Sequence, residues 1–170
     1  LSGAAFLQVN RGAAALLEAH VLERLGDVAG VRVVDAYCGI GLNARRLARR
    51  GVRVVGIELD PLAVAAARES APPGAEIVQG AVEDRLPDLL PADVVIVNPP
   101  RGGLHPAVPE ALRAAPPARL FYISCDPATL ARDIGRLGPG FALAGLRCFD
   151  LFPQTAHVET VAELTCATTS

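Results

Sequence analysis

The strongest constraint on the fold of this chain is the regular alternation of short aliphatic runs with longer segments of helical periodicity. The runs contain mainly Val, Ile and Leu, which is typical of strands that are buried on both faces of a parallel sheet. The segments between them carry apolar residues at helical spacing, and Gly and Pro cluster between the elements. The alternation predicts an α/β fold, in which helices cover both faces of a mostly parallel sheet.

The periodicity predicts a single domain, 1–170, with a seven-stranded sheet and a helical lead-in over residues 1–30. The expected strands are 31–35, 52–57, 75–79, 93–97, 120–123, 141–150 and 157–166, and the expected helices are 11–25, 42–50, 61–70 and 127–137. The last two strands are joined by a short connection that contains the turn Phe152-Pro153-Gln154. Because this connection is too short for a parallel crossover, the two strands are expected to form an antiparallel hairpin at one edge.

Composition and charge exclude several classes of protein. No apolar stretch approaches the length of a membrane span, and the first residues lack the features of a signal peptide. The formal net charge of −2 gives the domain no general attraction for a polyanion. The four cysteines are Cys38, Cys125, Cys148 and Cys166, and they lack the paired spacing of a metal site. We therefore expect a cytoplasmic monomer without membrane or metal, whose contacts with nucleic acid come from a local patch or another domain.

The turn after the first predicted strand has the glycine pattern of a nucleotide-binding site. The segment Asp35-Ala-Tyr-Cys-Gly-Ile-Gly41 leads into a helix, and its glycines let the backbone approach a ligand. Glu58 follows 19 residues after Gly39 at the end of the second strand, where a carboxylate can accept from ribose hydroxyls. Two glycines rather than three favour an adenosine ligand without a pyrophosphate. The spacing resembles the S-adenosylmethionine site of class I methyltransferases; an ordinary turn with a solvated Glu58 is the alternative.

A second group of reactive residues is expected at the same edge of the sheet. The fourth strand ends in Asn98-Pro-Pro-Arg-Gly-Gly103, whose prolines fix the backbone so that Asn98 presents its amide at the carboxyl edge. The fifth strand leads to Cys125, followed by Asp126 as N-cap and Pro127 at the first helical position. The positive end of a helix dipole favours a thiolate there, which makes Cys125 a candidate nucleophile. A buried structural thiol is the alternative.

Several further polar residues have both a functional and an ordinary interpretation. His157 and Glu159 lie in the predicted edge hairpin, where either alone would be read as a solvated loop residue. Arg101 and Arg132 are suited to phosphates or substrate, or to an ion pair with a neighbour such as Asp133. Four arginines form a basic helix surface that is either a solvated face or an RNA contact: Arg45, Arg46, Arg49 and Arg50.

Taken together, these motifs resemble the catalytic domain of the RNA uracil-5-methyltransferases, which modify transfer RNA and large-subunit ribosomal RNA. The matching segments are Phe6-Leu-Gln-Val-Asn10, Asp35-Ala-Tyr-Cys-Gly-Ile-Gly41, Gly56-Ile-Glu58, Asn98-Pro-Pro-Arg-Gly102, Ser124-Cys-Asp-Pro-Ala-Thr-Leu-Ala-Arg-Asp133 and Phe152-Pro-Gln-Thr-Ala-His-Val-Glu159. They occur in the family's order and at its spacing over nearly the whole chain. The last segment is more similar to the ribosomal-RNA branch and its archaeal transfer-RNA relatives, so 23S rRNA is the expected substrate.

The resemblance implies transfer of a methyl group from S-adenosylmethionine to C5 of a uridine, with Cys125 as the nucleophile that adds to C6 and Glu159 as the base. The implied cofactor-binding residues are Gln8, Asp35, Tyr37, Gly39, Gly41, Glu58 and Asn98. The implied substrate-binding residues are Asn98, Arg101, Arg132 and His157. Because these 170 residues contain neither the family's N-terminal β-barrel nor its small inserted domain, we expect only the catalytic domain here.

The chain departs from the family pattern at two positions. Asn98 replaces the usual acid, although its amide oxygen can still accept from uracil N3–H, and Asp126 replaces the usual Asn. Two other functions stay open at this point. Asn-Pro-Pro is also the pattern of amino-group methyltransferases, but an aromatic residue usually follows it there, and here Arg101 does. The second alternative is a non-catalytic relative that binds RNA or cofactor.

Overall fold

The computed structural model of this chain describes residues 11–27, 29–150 and 158–166, with side chains from residue 15 onward. The strands are β1 (Arg32–Ala36), β2 (Arg53–Glu58), β3 (Ala75–Gln79), β4 (Val94–Val97), β5 (Arg119–Ser124), β6 (Phe141–Phe149) and β7 (Glu159–Cys166). The helices are α1 (Arg11–Leu25), α2 (Leu42–Ala48), α3 (Pro61–Glu69), α4 (Val82–Leu89), α5 (Ala107–Ala114) and α6 (Pro127–Leu137). The strands form one sheet in the order β3-β2-β1-β4-β5-β7-β6. All neighbouring strands from β3 to β5 pair parallel, and β7 pairs antiparallel with both β5 and β6.

Alternate residues of the central strands enter two separate cores. Val33 and Phe121 face one core, and their neighbours Val34 and Tyr122 face the other. The first core receives Leu17, Leu47 and Val64 from α1, α2 and α3, and the second receives Leu86, Leu112 and Leu130 from α4, α5 and α6. Full burial of one such side chain contributes roughly 1.5–3 kcal/mol. Continuous aliphatic runs are therefore what a sheet covered on both faces requires.

The predicted α/β fold with an antiparallel edge hairpin is confirmed. The predicted bounds of the described elements agree with the observed ones to within two residues. Both predicted N-caps are present: Asp60 accepts from the Leu62 amide at 2.8 Å, and Asp126 accepts from the Thr129 amide at 2.9 Å. Among the described helices the longest has 15 residues, and none is both long and apolar enough to cross a membrane.

Two helices, α4 and α5, were not anticipated from the sequence because each contains a proline. Pro109 lies in the first turn of α5, where a backbone amide has no acceptor within the helix. Its missing N–H therefore costs the helix no hydrogen bond. Pro87 lies inside α4, which is held instead by burial of Val82 and Leu86, one helical turn apart, against the sheet. Tertiary packing thus overrides a local signal that favours a loop.

Gly56 on β2 leaves room for the turn that follows β1. A Cβ at Gly56 would lie 2.8 Å from Cys38 Sγ and 2.9 Å from Ile77 Cδ1. Because the interior is close-packed, we expect Gly56→Ala to lower the free energy of unfolding by about 1–3 kcal/mol. Gly135→Ala is the matched control, since Gly135 lies in α6 and a Cβ there would have nothing within 4 Å, and it should stabilise by about 0.5–1 kcal/mol. Urea unfolding measures both; equal effects would contradict the packing argument.

Candidate active site

The carboxyl ends of β1, β2, β4 and β5 meet the start of β7 at one edge of the sheet. Val97, the last residue of β4, pairs with Tyr122 of β5, and Ser124 at the end of β5 pairs with Thr160 near the start of β7. Ligands bind at this edge in open α/β sheets, next to the point where the strand order reverses. Here the reversal lies between β1 and β4, which are neighbours in the sheet.

The glycine turn between β1 and α2 follows a left-handed path. Tyr37, Gly39 and Gly41 have φ values of 62°, 54° and 75°, which is unusual for the tyrosine. Gly41 is the N-cap of α2, and a Cβ there would lie 3.1 Å from Ala67 Cβ of α3. The space where a Cβ of Gly39 would stand is open for at least 4 Å. The turn therefore combines tight packing on one side with backbone that a ligand can reach on the other.

Glu58 fixes this turn against the end of β2. Its Oε2 accepts from the Gly39 amide at 2.9 Å, and its Oε1 accepts from the amides of Leu59 and Asp60 at 2.8 and 2.9 Å. A carboxylate offers about four acceptor positions, so these three bonds leave capacity for a hydroxyl of a ligand. The predicted pairing of the glycine turn with Glu58 is therefore present in the structure.

Asp35 is a buried carboxylate at the end of β1. It is only 1% exposed, and neither of its oxygens has a hydrogen-bond partner among the described residues. Burial raises its pKa to about 7, although the nearby Ala44 amide and Asn43 side chain lower the pKa in part. A buried carboxylate without a partner is unfavourable in its ionised form, so Asp35 needs either a proton or a cation.

We expect the Asp35 carboxyl to make the protein less stable as the pH rises. In the unfolded chain the group has an ordinary pKa of 3.8, whereas in the folded protein it keeps its proton until about pH 7. The unfolded state therefore binds fewer protons between these values, and the free energy of unfolding falls there by up to about 4 kcal/mol. Asp35→Asn should remove most of this fall in denaturant titrations without ligand, whereas Asp88→Asn, on the exposed face of α4, should keep it. Parallel pH profiles for wild type and Asp35→Asn would contradict the assignment.

Cys125 lies in the tight turn that joins β5 to α6. Ser124 Oγ closes this turn, because it accepts from the Asp126 amide at 3.1 Å and donates to the Asp126 carbonyl at 2.9 Å. Asp126 then caps α6 through Thr129, and this backbone hydrogen bond holds the pKa of the Asp126 carboxyl below its usual range. The thiol of Cys125 is free and half-buried. The segment predicted to hold a nucleophile is therefore rigid on both sides of the sulfur.

The antiparallel pairing of β5 with β7 brings the segments that carry Cys125 and Glu159 to the same edge of the sheet. The ladder ends at the pair Ser124 and Thr160, so Cys125 directly follows one member of the last pair and Glu159 directly precedes the other. Burial raises the pKa of the Glu159 carboxyl, and the positive charge of Arg101 lowers it in part. The positive charge of Arg101 also lowers the pKa of Asp126 in part.

Asn98 and Tyr37 lie where the glycine turn meets the loop that follows β4. The backbone amide of Asn98 donates to the Ala36 carbonyl at 3.2 Å, so the backbone of Asn98 lies next to the start of the glycine turn, and its side chain is exposed. Burial and the charge of Glu83 raise the pKa of Tyr37 to about 12, and a contact with the His105 backbone lowers it in part. Tyr37 therefore reaches from the glycine turn to the loop that follows Asn98.

The guanidinium of Arg132 is used within the protein. It donates to Asp133 Oδ1 at 3.0 Å and to the Gly102 carbonyl at 2.7 Å. The ion pair with Asp133 that the sequence allowed is therefore confirmed.

Two arginines of the basic helix surface also bind within the protein: Arg46 forms an ion pair with Glu18 of α1, and Arg50 Nη1 donates to the Leu22 carbonyl at 3.4 Å. Gln8 and His157 lie outside the described residues.

Two buried groups near the edge were not singled out as site residues from the sequence. Asp133 is fully buried in α6, and it accepts from the Tyr122 hydroxyl of β5 at 2.7 Å. The available signal was an acid on the otherwise apolar face of an amphipathic helix.

A separate cleft of about 230 Å³ between α1 and β6 contains the ion pair of Arg24 with Glu163 and none of the predicted site residues.

Two family sequence models match parts of the chain. The model described as tRNA (Uracil-5-)-methyltransferase matches residues 85–166, a range that includes Asn98, Cys125 and Glu159. The model described as Methyltransferase domain matches residues 33–115, which include the glycine turn.

Curated relatives and a solved structure cover most of the chain. An uncharacterized RNA methyltransferase of Gloeobacter violaceus is 46% identical over 164 residues, which are 94% of this chain and 36% of the relative. A 23S rRNA (uracil(1939)-C(5))-methyltransferase of Azoarcus sp. is 39% identical over 92% of this chain and 39% of its own length. The Pyrococcus abyssi tRNA (uracil-54, C5)-methyltransferase, solved in complex with S-adenosyl-L-homocysteine, superimposes with a TM-score of 0.75 at 30% identity, over 88% of this chain and 38% of that one. The chain thus spans little more than a third of these relatives' length.

Proposed function

This chain belongs to the family of RNA uracil-5-methyltransferases, and we propose that it is the catalytic domain of an enzyme that methylates C5 of a uridine in RNA. One observation supports this most strongly. The nucleophile candidate Cys125 and the base candidate Glu159 flank the last pair of the β5–β7 ladder, at the edge where the loop that begins at Asn98 leaves β4. A thiol and a carboxylate on either side of one pyrimidine are what C5 methylation through a covalent adduct requires.

The residues at the glycine turn fit S-adenosylmethionine. The open space at Gly39 admits an adenosine group, and the remaining acceptor capacity of Glu58 suits ribose hydroxyls. The cofactor carries positive charge on its sulfonium and its amino group, and Asp35 is a buried carboxylate that lacks a partner among the described residues. When bound, this cofactor supplies an electrophilic methyl group. We assign Asp35, Tyr37, Gly39, Gly41 and Glu58 to holding it, with Gln8 and Asn98 as further candidates.

Cys125 performs the step that makes uracil reactive at C5. Its thiolate adds to C6. The π electrons of the C5=C6 bond then form a C4=C5 bond, and those of the C4 carbonyl move onto O4 to give an enolate. C5 of this enolate is nucleophilic enough to accept a methyl group, which C5 of uracil is not. The exposed amide of Asn98 holds the base edge by accepting from N3–H. The target nucleotide must leave its stack to reach this edge of the sheet.

Glu159 completes the reaction by removing the C5 proton. The electrons of the C5–H bond then re-form the C5–C6 double bond, and the thiolate of Cys125 leaves. Half-burial raises the pKa of Glu159, which makes its carboxylate a stronger base, and the positive charge of Arg101 lowers that pKa in part. The surroundings of Glu159 therefore suit a group that accepts a proton.

We propose 23S rRNA rather than tRNA as the substrate. The Azoarcus ribosomal-RNA enzyme is 39% identical to this chain, whereas the Pyrococcus transfer-RNA enzyme is 30% identical. The Phe152-Pro-Gln-Thr-Ala-His157 motif is similar to that of the ribosomal-RNA branch and its archaeal transfer-RNA relatives, so it argues only against the bacterial transfer-RNA branch. Methylation rates on 23S rRNA and tRNA transcripts test this choice, and faster methylation of tRNA would contradict it.

RNA that contains 5-fluorouridine should trap the protein as a covalent complex. Fluorine cannot leave C5 as a proton, so the adduct of Cys125 with C6 cannot resolve after methylation. Denaturing gel electrophoresis and intact mass spectrometry detect the complex. It should be absent in Cys125→Ser and present in Cys148→Ser, since Cys148 is an exposed thiol on the edge strand β6. An adduct that persists in Cys125→Ser would refute the assignment of the nucleophile.

The pH dependence of methyl transfer should report the charge of Arg101. Its positive charge lowers the pKa of Glu159, so Arg101→Gln is expected to raise that pKa. The acidic limb of the kcat/KM profile should then move to higher pH, because Glu159 must be ionised to accept the proton. Arg53→Gln changes an exposed arginine at the opposite end of β2 and should leave the limb in place. A limb that does not move in Arg101→Gln would argue against Glu159 as the base.

A further inference from the structure

Asp133 is the most heavily bonded carboxylate among the described residues. It is 0% exposed. Its Oδ2 accepts from the Tyr122 hydroxyl at 2.7 Å and from the Leu104 amide at 2.8 Å. Its Oδ1 accepts from the guanidiniums of Arg132 at 3.0 Å and Arg136 at 3.2 Å. Hydrogen bonds to a charged group are stronger than those between neutral groups, so this arrangement, the Asp133 cluster, holds its members firmly together.

The Asp133 cluster joins three segments that meet at the active site. Tyr122 lies on β5, three residues before Cys125, and Asp133 lies on the helix that starts just after it. Leu104 lies in the loop between β4 and α5, which begins at Asn98. One buried carboxylate therefore ties the chain on both sides of the nucleophile to the loop that carries the base-recognition residue.

The loop rests directly on α6 at Gly103. This glycine has a φ of +81°, and a Cβ there would collide with Asp133 Oδ2 and Thr129 Cγ2. Thr129 Oγ1 also donates to the Arg101 carbonyl at 3.2 Å. The close approach leaves the loop little freedom to move relative to the start of α6 while Asp133 keeps its bonds.

We propose that Asp133 is a positioning residue for methyl transfer, an inference that rests on the proposed function. It holds the Asn98 loop at a fixed distance from the Cys125 sulfur. A uracil whose edge is bound by Asn98 then has its C6 within reach of the thiolate. Misplacement of reacting groups by about 1 Å can lower a rate by about 100-fold, so a fixed spacing between loop and nucleophile matters to the chemical step.

Asp133→Asn breaks this arrangement with little change in shape. A side-chain amide has one acceptor oxygen and one donor group, whereas Asp133 accepts on both sides. If the amide oxygen faces Tyr122 and Leu104, the NH₂ group faces two guanidiniums. If it is turned round, the NH₂ group faces the hydroxyl and the loop amide. Either way one side of the cluster loses its acceptor, and the loop or the helix can shift.

The test compares Asp133→Asn and Tyr122→Phe with Glu163→Gln in the purified protein. Glu163 is an equally suitable buried carboxylate, 6% exposed, that pairs with Arg24 and Arg119 away from the Asn98 loop. Thermal unfolding gives the stability of each variant, and calorimetry gives its affinity for S-adenosylmethionine. The rate of covalent complex formation with 5-fluorouridine RNA, measured well below each melting temperature, isolates the step at Cys125.

We expect Asp133→Asn to slow covalent complex formation by about 10- to 100-fold and Tyr122→Phe by about 3- to 10-fold, with cofactor affinity unchanged. Glu163→Gln should lose stability but keep the rate. Equal rates for the folded fractions of Asp133→Asn and Glu163→Gln would overturn the proposal. If Asp133→Asn does not fold, a wild-type rate in Tyr122→Phe overturns it, because that change removes one hydroxyl only. A wild-type protein that forms no covalent complex would refute the proposed function instead.

Discussion

The antiparallel pairing of β5 with β7 is the interaction on which the active site depends. Without it, Cys125 and Glu159 would lie at the ends of strands 34 residues apart in the chain with nothing to bring them together. The pairing ends at Ser124 and Thr160, so the thiol and the carboxylate follow directly from the two members of its last pair. A slip of one residue would turn the side chains of β7 to the opposite faces of the sheet and exchange the cores that Val161 and Leu164 enter. The register of β7 therefore sets the position of the proposed base relative to the proposed nucleophile.

Three carboxyl groups at or near this edge suit different roles, because they differ in burial and in the donors and charges around them. Asp35 is buried without a hydrogen-bond partner in the described structure, so its pKa rises to about 7. Glu159 is half-buried near one positive charge, so its pKa is raised but opposed by Arg101. Asp133 is buried with donors on both oxygens. The first suits a cationic ligand, the second suits proton transfer, and the third suits a structural role.

The sequence predicts most of the fold and the polar residues of the edge, because both follow from local patterns. Aliphatic runs identify the strands, and Asp126 with Pro127 marks the start of the helix after Cys125. The short helices α4 and α5 are missed, since Pro87 and Pro109 favour loops and only packing against the sheet reveals a helix. Of the Asp133 cluster, the sequence suggests only the ion pair with Arg132, because the bonds from Leu104 and Tyr122 join residues 29 and 11 positions away. Spacing along the chain predicts which groups are candidates, but it does not predict that Leu104 and Tyr122 donate to the same buried oxygen of Asp133.

The central claim is that Cys125 and Glu159 act together on one uracil ring and exchange its C5 hydrogen for a methyl group. RNA made with uridine deuterated at C5 tests this most directly, since mass spectrometry of the digested nucleosides reports both the site of methylation and the fate of the deuterium. The account predicts 5-methyluridine that has lost all of its C5 deuterium. A methylated nucleoside that retains the deuterium, or one that carries the methyl group on nitrogen, would contradict it.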